Sequence, residues 1–473
     1  MRKLARAVAW IGLLTAALWL VYGRGTVGYD AAYALLWGDQ LASWSKPVLA
    51  STFAPTPHPL AILVGASLSI FGSHADEVLT LLQLVLLAVL GGLAFRLGRE
   101  LFSAAVGAVF ALLLLTLPAF VNSTQLALID VPFLALVIAA AIHIVGSRPR
   151  PHLALALLLA AGLLRPEAWA LSLAYGGYLL YQSQATSTRA KTVLLMTAAP
   201  LAWVGFDLAA TGDPFFSLHG TRHLAAELDR YRDPGTAASA GPAFLRVLLG
   251  QTLLIGGLVG LVMTVALQRQ KTFPVAGALA VGLLSFVALG AAGLPLVARY
   301  IVVPAAILCL YAAILLAAWP ALPRRSAARV AWTACAAGFA TALLIGVSQQ
   351  RREIHAVAVN VESVQRTLSD LERLTQQLPQ GKQLIGCGPI VVDDFRIVPH
   401  LGLWLGLGPE AFAIVSAQDQ PPLGSRLTID RIRPATSGAI EEAKTGHRNS
   451  EARFESPRHM WRVRSKCPSV RVD

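Results

Sequence analysis

The stretch that decides the fold follows the first apolar run: Gly23-Arg24-Gly25-Thr26-Val27-Gly28-Tyr29-Asp30, continuing to Phe53-Ala54-Pro55-Thr56-Pro57-His58-Pro59-Leu60. Between Asp30 and Leu60 the apolar Trp37, Trp44 and Phe53 are mixed with Asp39, Ser43, Ser45 and Lys46. That mixture lies flat at a lipid headgroup boundary. The segment 23–77 therefore reads as a platform on the membrane surface, with Asp30 just outside the bilayer. A carboxylate there can meet a lipid-borne phosphate and a hydroxyl arriving from water. Taken alone, it is also an ordinary solvated loop acid.

The surrounding composition requires the membrane. The 473 residues are 55% hydrophobic and 14% charged, with a mean hydropathy of +0.60, whereas a soluble globule carries about a quarter charged residues. The net charge of +13 would point to nucleic acid in a soluble chain. In a membrane protein Lys and Arg gather in cytoplasmic loops, so the charge reports topology and no nucleic-acid partner is expected. Ala, Leu and Arg usage points to a bacterial source.

Apolar runs cover residues 7–22, 78–95, 104–119, 131–146, 153–164, 168–181, 192–210, 243–266, 275–292, 301–319 and 329–347, which predicts about eleven transmembrane helices. Met1 to Arg6 followed by the first run carries no small-residue cleavage site, so this reads as an uncleaved first span. Pro59 to Phe71 is too short for a comfortable crossing and is placed outside as a re-entrant or interfacial helix. With that choice Arg2, Lys3, Arg6, Arg96, Arg99, Arg148, Arg150, Arg189, Lys191, Arg269, Lys271, Arg324 and Arg325 share the cytoplasmic side. Asp30, Asp130, Glu167 and Asp213 then all fall at the outer face.

The expected organisation is a polytopic α-helical domain over 1–347 and a small extracytoplasmic α/β domain over 348–473. Val357, Val361, Val364, Leu368, Leu371 and Leu378 recur at helical spacing, with Arg366, Asp370, Glu372 and Arg373 on the wet side. Residues 383–392, 411–416 and 459–464 read as strands and 399–407 as a small helix. The Pro-, Gly-, Ser- and charge-rich stretch 418–456 reads as loop or partly disordered chain. Cys309 and Cys335 lie in apolar runs as small hydrophobes; Cys387 and Cys467 could form a disulfide if their domain is exported. No metal-ligand spacing is visible.

Several short matches resemble the membrane-embedded C-type (GT-C) glycosyltransferases, the group that includes the protein O-mannosyltransferases and the aminoarabinose transferases of lipid A. They are Tyr29-Asp30-Ala31-Ala32-Tyr33, Pro57-His58-Pro59-Leu60, Leu97-Gly98-Arg99-Glu100-Leu101-Phe102, Leu128-Ile129-Asp130, Leu164-Arg165-Pro166-Glu167, and Ala298-Arg299-Tyr300 followed by Pro304. Their order and common outer-face location carry the resemblance, which covers roughly residues 1–320. It implies inverting transfer of a sugar from a polyprenyl-phosphate carrier to an extracytoplasmic lipid, glycan or protein acceptor. Asp30 would act as base or orienter, and Asp130 would position the acceptor or bind a metal. No cofactor is required by the sequence; a divalent metal, if held, falls to Asp30 and Asp130. The chain departs from the pattern in having Gly-Tyr-Asp where many relatives have adjacent acids, and Pro-His-Pro-Leu where Lys- or His-Pro-Pro-Leu is usual.

A departing lipid phosphate needs cationic or N–H donors at the interface. The candidates are His58, Arg165, His219, Arg222, Arg299 and the adjacent Glu167 and Tyr300. Arg165 and Glu167 read equally as an ion pair at a helix turn, and Arg299 as a side chain snorkelling to the interface. The helices alone also allow a transporter or flippase of a lipid-linked substrate, or a non-catalytic membrane scaffold.

Overall fold

The structure is a computed structural model and describes residues 2–182, 185–227, 237–267, 269–378, 384, 388–415, 427–432 and 452–467. In chain order the described helices are α1 (Arg2–Tyr22), α2 (Tyr29–Ala42), α3 (Pro59–Leu68), α4 (Ala75–Leu101), α5 (Ala104–Thr116), α6 (Pro118–Gln125), α7 (Asp130–Val145) and α8 (Pro151–Leu164). They continue with α9 (Glu167–Gln182), α10 (Thr186–Thr211), α11 (Phe216–Glu227), α12 (Ala237–Leu267), α13 (Arg269–Ala291), α14 (Val302–Ala317), α15 (Ala327–Thr375) and α16 (Val398–Leu405). Strands β1 (Ile390–Val392), β2 (Phe412–Ile414), β3 (Leu427–Arg431), β4 (Ala452–Glu455) and β5 (Trp461–Ser465) complete the described elements.

The apolar runs read from the sequence are helical, although 104–119 is broken at Leu117 between α5 and α6. By length and apolarity, however, the described residues supply seven spans, or eight if α5 and α6, bent by 56° at Leu117, count as one. The difference from eleven lies in α7, α8 and α9, which are only 16, 14 and 16 residues long. α3 has 10 residues and reaches about 15 Å at 1.5 Å per residue, half of a hydrocarbon layer about 30 Å thick. It ends in a 3₁₀ turn broken at Gly72, where φ is 53°. The Leu97 to Phe102 segment is the last turn of α4 and the residue after it. There Gly98 lets α4 cross α5 at Gly107: a Cβ on Gly98 would stand 2.7 Å from the Gly107 Cα.

The chain divides into two compact units: Met1–Val27, Thr56–Leu63 and Glu77–Val359; and Gly28–Pro55, Val64–Asp76 and Asn360–Asp473. The first is a helical bundle. Its centre is α14, buried from Val302 to Leu315 on almost every side, with Ile307 only half-buried, as expected of a helix apolar all round. α14 packs on α5, α12, α13 and α7. Cys309 is buried in α14, whereas Cys335 is exposed on α15.

The second unit holds a five-stranded sheet of order β2-β1-β3-β5-β4, with β1 parallel to β2 and β3, and β5 antiparallel to β3 and β4. β3 and β4 fall in the stretch the sequence reads as loop. Leu427 and Ile429 alternate inward there and are fully buried, a period of two too short to stand out among Pro, Gly and charge. The remainder of 418–456, apart from 427–432 and 452–456, lies outside the described residues. α15 continues without a break through residue 348 as one 49-residue helix. Asp370, read as a wet-side acid, is buried and accepts hydrogen bonds from Ser456 Oγ, Arg458 N (2.9 Å) and Met460 N (3.3 Å). The turn before β5 needs that acceptor. Cys467 is disulfide-bonded; Cys387 lies outside the described residues.

α2 belongs to this second unit, where α16 packs on it. Gly38 and Gly65 bring α2 and α3 into backbone contact, a Cβ on Gly65 reaching 2.3 Å from the Ala34 carbonyl oxygen. Trp37, expected at the lipid surface, is instead 1% exposed and donates Nε1 to the Val48 carbonyl at 2.9 Å. Phe53 packs on Phe395. Trp44 is the one of the three aromatic residues that remains exposed, whereas Trp37 bonds to the segment after α2 and Phe53 meets the Phe395 ring.

His400 in α16 is buried, and burial pushes its imidazole down to about 4 from 6.5. The unfolded chain binds this proton at higher pH than the folded one. Its contribution is therefore complete above pH 6.5 and is lost as pH falls toward 4, by about 3 kcal/mol at one pKa unit per 1.36 kcal/mol. Thermal unfolding of the full chain in detergent should show acid destabilisation across that window, and His400→Phe should flatten it. Equal acid sensitivity of variant and wild type would contradict this assignment.

Candidate active site

The ends of four helices meet in the bundle unit. Asp130 opens α7, Glu167 opens α9, Arg165 is the residue on which α8 ends, and Arg299 and Tyr300 lie in the 3₁₀ turn before α14. Helix dipoles favour this arrangement, since both acids sit at N-termini and the arginine at a C-terminus. Pro166 stops α8 and starts the next turn, which is why two opposite charges only two residues apart can face the same space.

Arg165 is 1% exposed. Its Nη2 lies 2.9 Å from Asp130 Oδ1 and its Nη1 3.4 Å from Glu167 Oε1. Nη1 also donates to the Arg299 carbonyl. Phe133 and Tyr300 flank the guanidinium, with ring centroids at 5.6 and 5.7 Å. Ser123 Oγ donates to Asp130 Oδ2 at 2.9 Å. Arg299 and His58 lie near enough to act electrostatically on the Asp130 carboxylate. Glu167 Oε2 and Arg165 Nε, both buried, make no hydrogen bond among the described residues, so the cluster keeps polar capacity for a further partner. Asp130, Arg165, Glu167, Arg299, Tyr300 and His58 are thus brought together, and the Arg165–Glu167 pair is joined to Asp130 rather than isolated at its turn.

Asp30 lies in the other unit, half-buried in the first turn of α2. Beside it Tyr29 donates its hydroxyl to the Phe53 carbonyl and meets the Tyr33 ring edge-on at 5.2 Å. Burial pushes the Tyr29 phenol up, so it remains a donor at neutral pH.

The remaining candidates are on or beside α11. His219 is exposed and pairs with Asp213 Oδ2 at 2.7 Å. The Phe215 N–H and His219 hold the Asp213 carboxyl below the usual range. Arg222 reaches the Ala292 carbonyl. Thr221 and Thr56 hydroxyls are 2.6 Å apart, which ties α11 to the Pro-His-Pro-Leu segment. His58 itself meets the Trp203 ring edge-on at 5.8 Å, and Trp203 Nε1 donates to Ser217 Oγ at 2.9 Å. Asp207 anchors that chain: Oδ1 accepts from Ser217 Oγ and Oδ2 from Ser217 N, each at 2.8 Å.

Among the described residues no three His, Cys, Asp or Glu side chains converge to hold a metal ion. Asp130 does not fit a divalent cation, because one of its oxygens faces the Arg165 guanidinium and the other accepts from Ser123. A cation there would be repelled at close range. Sequence reasoning passed over Ser123, Phe133, Trp203 and Ser217. The only visible signal was the polar Asn122-Ser123-Thr124-Gln125 run interrupting apolar sequence.

No family model and no curated protein matches the chain by sequence. Its structure is similar to that of ArnT from Cupriavidus metallidurans bound to undecaprenyl phosphate, at TM-score 0.58 and 16% identity over 98% of this chain and 99% of that one. The chain has the GT-C fold. The Archaeoglobus fulgidus oligosaccharyltransferase AglB, in complex with an inhibitory peptide and a dolichol-phosphate, shares this fold at TM-score 0.52 and 13% identity, over 91% of this chain and 70% of that one. The Archaeoglobus fulgidus oligosaccharyltransferase in complex with zinc and sulfate does so at TM-score 0.53 and 12% identity, over 89% of this chain and 67% of that one. Within the GT-C fold of this chain, Arg165 is the guanidinium that pairs directly with both Asp130 and Glu167.

Arg165→Met should therefore leave two buried carboxylates without their directly paired cation and lower stability by about 3–5 kcal/mol, read as a reduced unfolding temperature and yield in detergent. Glu167→Gln, which keeps the Asp130 pair, should cost less. Wild-type stability of Arg165→Met would contradict the role given to the cluster.

Proposed function

We propose that this protein is a glycosyltransferase that moves a sugar from a polyprenyl-phosphate donor to a hydroxyl of an extracytoplasmic lipid, glycan or protein acceptor. The observation that carries the reading is the GT-C fold held over nearly the whole chain, with neighbours bound to undecaprenyl phosphate and to a dolichol-phosphate. In the reaction the acceptor oxygen forms a bond to the sugar's anomeric carbon while the bond from that carbon to the carrier phosphate breaks. The acceptor proton passes to Asp30, and the lipid phosphate leaves as the anion. Attack opposite the leaving phosphate inverts the anomeric centre. A carboxylate in hydrogen-bond reach of the hydroxyl contributes as general base.

Arg222, Arg299 and His58 are the groups assigned to the departing phosphate, with His219 held by Asp213 at the same helix. Arg165, held by Asp130, orients Arg299 through its carbonyl, and Arg165 Nε and Glu167 Oε2 bind acceptor or sugar hydroxyls with their open hydrogen-bonding capacity. The protein is placed in the inner (plasma) membrane of a bacterial cell envelope with its N-terminus cytoplasmic. The Cys467 disulfide supports an exported C-terminal domain. A transporter or flippase would place ionisable groups near the bilayer midplane. Here Asp130 and Glu167 open their helices and Arg165 closes its own.

Asp30→Asn should lower transfer of labelled sugar about 10²- to 10⁴-fold in protein that unfolds at the wild-type temperature. The assay compares membranes carrying variant and wild type across a panel of polyprenyl-phosphate sugars. Undiminished transfer by the variant would remove Asp30 from the mechanism.

A further inference from the structure

The turn after β1 is built to present one ring to α2. Asp394 caps the 3₁₀ turn Phe395–Ile397, its Oδ1 accepting from Arg396 N at 3.0 Å. Asp393 ties the same turn to the sheet by accepting from Arg431 N at 3.1 Å. Both acids thus serve as anchors of the turn. Phe395 stacks on Phe53 at 4.9 Å with 26° between the planes, and meets Tyr29 edge-on at 5.4 Å. The Arg396 guanidinium covers Phe395 at 4.6 Å. α16, which follows at once, packs on α2, where Gly402 leaves only 3.0 Å between a would-be Cβ and Leu36.

Two features of α2 and its neighbour need this support. Gly28, the residue before the helix, gives no side-chain cap to the first turn that carries Asp30. Phe53 is in the left-handed region at φ 60°, a conformation that a bulky residue keeps only where its surroundings hold it. The Tyr29 hydroxyl holds the Phe53 carbonyl and Phe395 holds both rings. We propose that Phe395 of the C-terminal domain is a positioning residue for Asp30, acting through Tyr29 to fix the first turn of α2 and the direction of its carboxylate. This rests on the reading of Asp30 as the base. It gives the C-terminal domain a part in the reaction without contact with the reacting atoms.

The test is steady-state transfer by the full chain carrying Phe395→Ala, Phe395→Tyr, Asp30→Asn, and Phe395→Ala with Asp30→Asn. Phe395→Ala should lower kcat about 10- to 100-fold, the scale of a misdirected catalytic group, with the donor KM unchanged. Phe395→Tyr, which keeps the ring, should stay near wild type. Phe395→Ala should cost nothing further on the residual rate of Asp30→Asn. Where that residual rate is below detection, the split between kcat and KM and the Tyr variant decide. If Phe395→Ala does not accumulate, Phe53→Gly, which relieves the left-handed backbone while removing the stacked ring, takes its place with the same expectation. Wild-type kcat in Phe395→Ala, or equal losses with and without Asp30, overturns the inference while leaving Asp30 as base. Transfer by Asp30→Asn at the wild-type rate overturns the underlying reading.

Discussion

Arg165 carries its charge where almost no water reaches, and an uncompensated guanidinium in such a place is not tolerated. The bundle answers by directing the ends of several elements at one point. Two helix N-termini deliver Asp130 and Glu167, the turn before α14 delivers the Arg299 carbonyl, and Phe133 and Tyr300 cover the planar faces. The short helices α7, α8 and α9 make geometric sense from here, because each begins or ends where this charge must be met. Arg299 and Tyr300 are held by the same arrangement, so residues assigned to the phosphate are fixed through a group that need not touch it. Desolvation also raises the strength of each charge interaction in the cluster.

In the second unit the organising constraint is different in kind. α2 carries its acid in an uncapped first turn, and aromatic packing does what a capping side chain would do elsewhere. Gly38 and Gly65 give the close helix contact from one side, and α16 with the Phe395 turn gives it from another. A buried Asp207–Ser217–Trp203 chain serves a comparable purpose in the bundle by fixing the ring against which His58 rests.

The membrane character and the helices were legible in the sequence because each depends on local pattern: long apolar runs, Pro-interrupted turns, charges at run ends. Ser123 and Phe133 were not, since nothing in a lone hydroxyl or a ring within an apolar stretch says which distant charge it will serve. The platform reading of Trp37 failed for a related reason. Composition detects that a segment is half apolar, but lipid and a covering domain satisfy the same apolar face. β3 was hidden because two inward residues among loop-like neighbours carry no periodicity that a window can detect, and its place is set by pairing with β1 and β5. Asp370 looked wet because its partners come from a turn about 90 residues away.

The central claim is bond cleavage at a carrier phosphate, and the most direct measurement follows both halves of the donor. Purified protein in proteoliposomes would be given a polyprenyl-phosphate sugar labelled in the sugar, and free carrier phosphate and transferred label would be quantified together. The account predicts one polyprenyl phosphate released for each sugar moved to acceptor. Label that crosses the bilayer still joined to its carrier, with no free polyprenyl phosphate formed, would contradict it and identify a flippase.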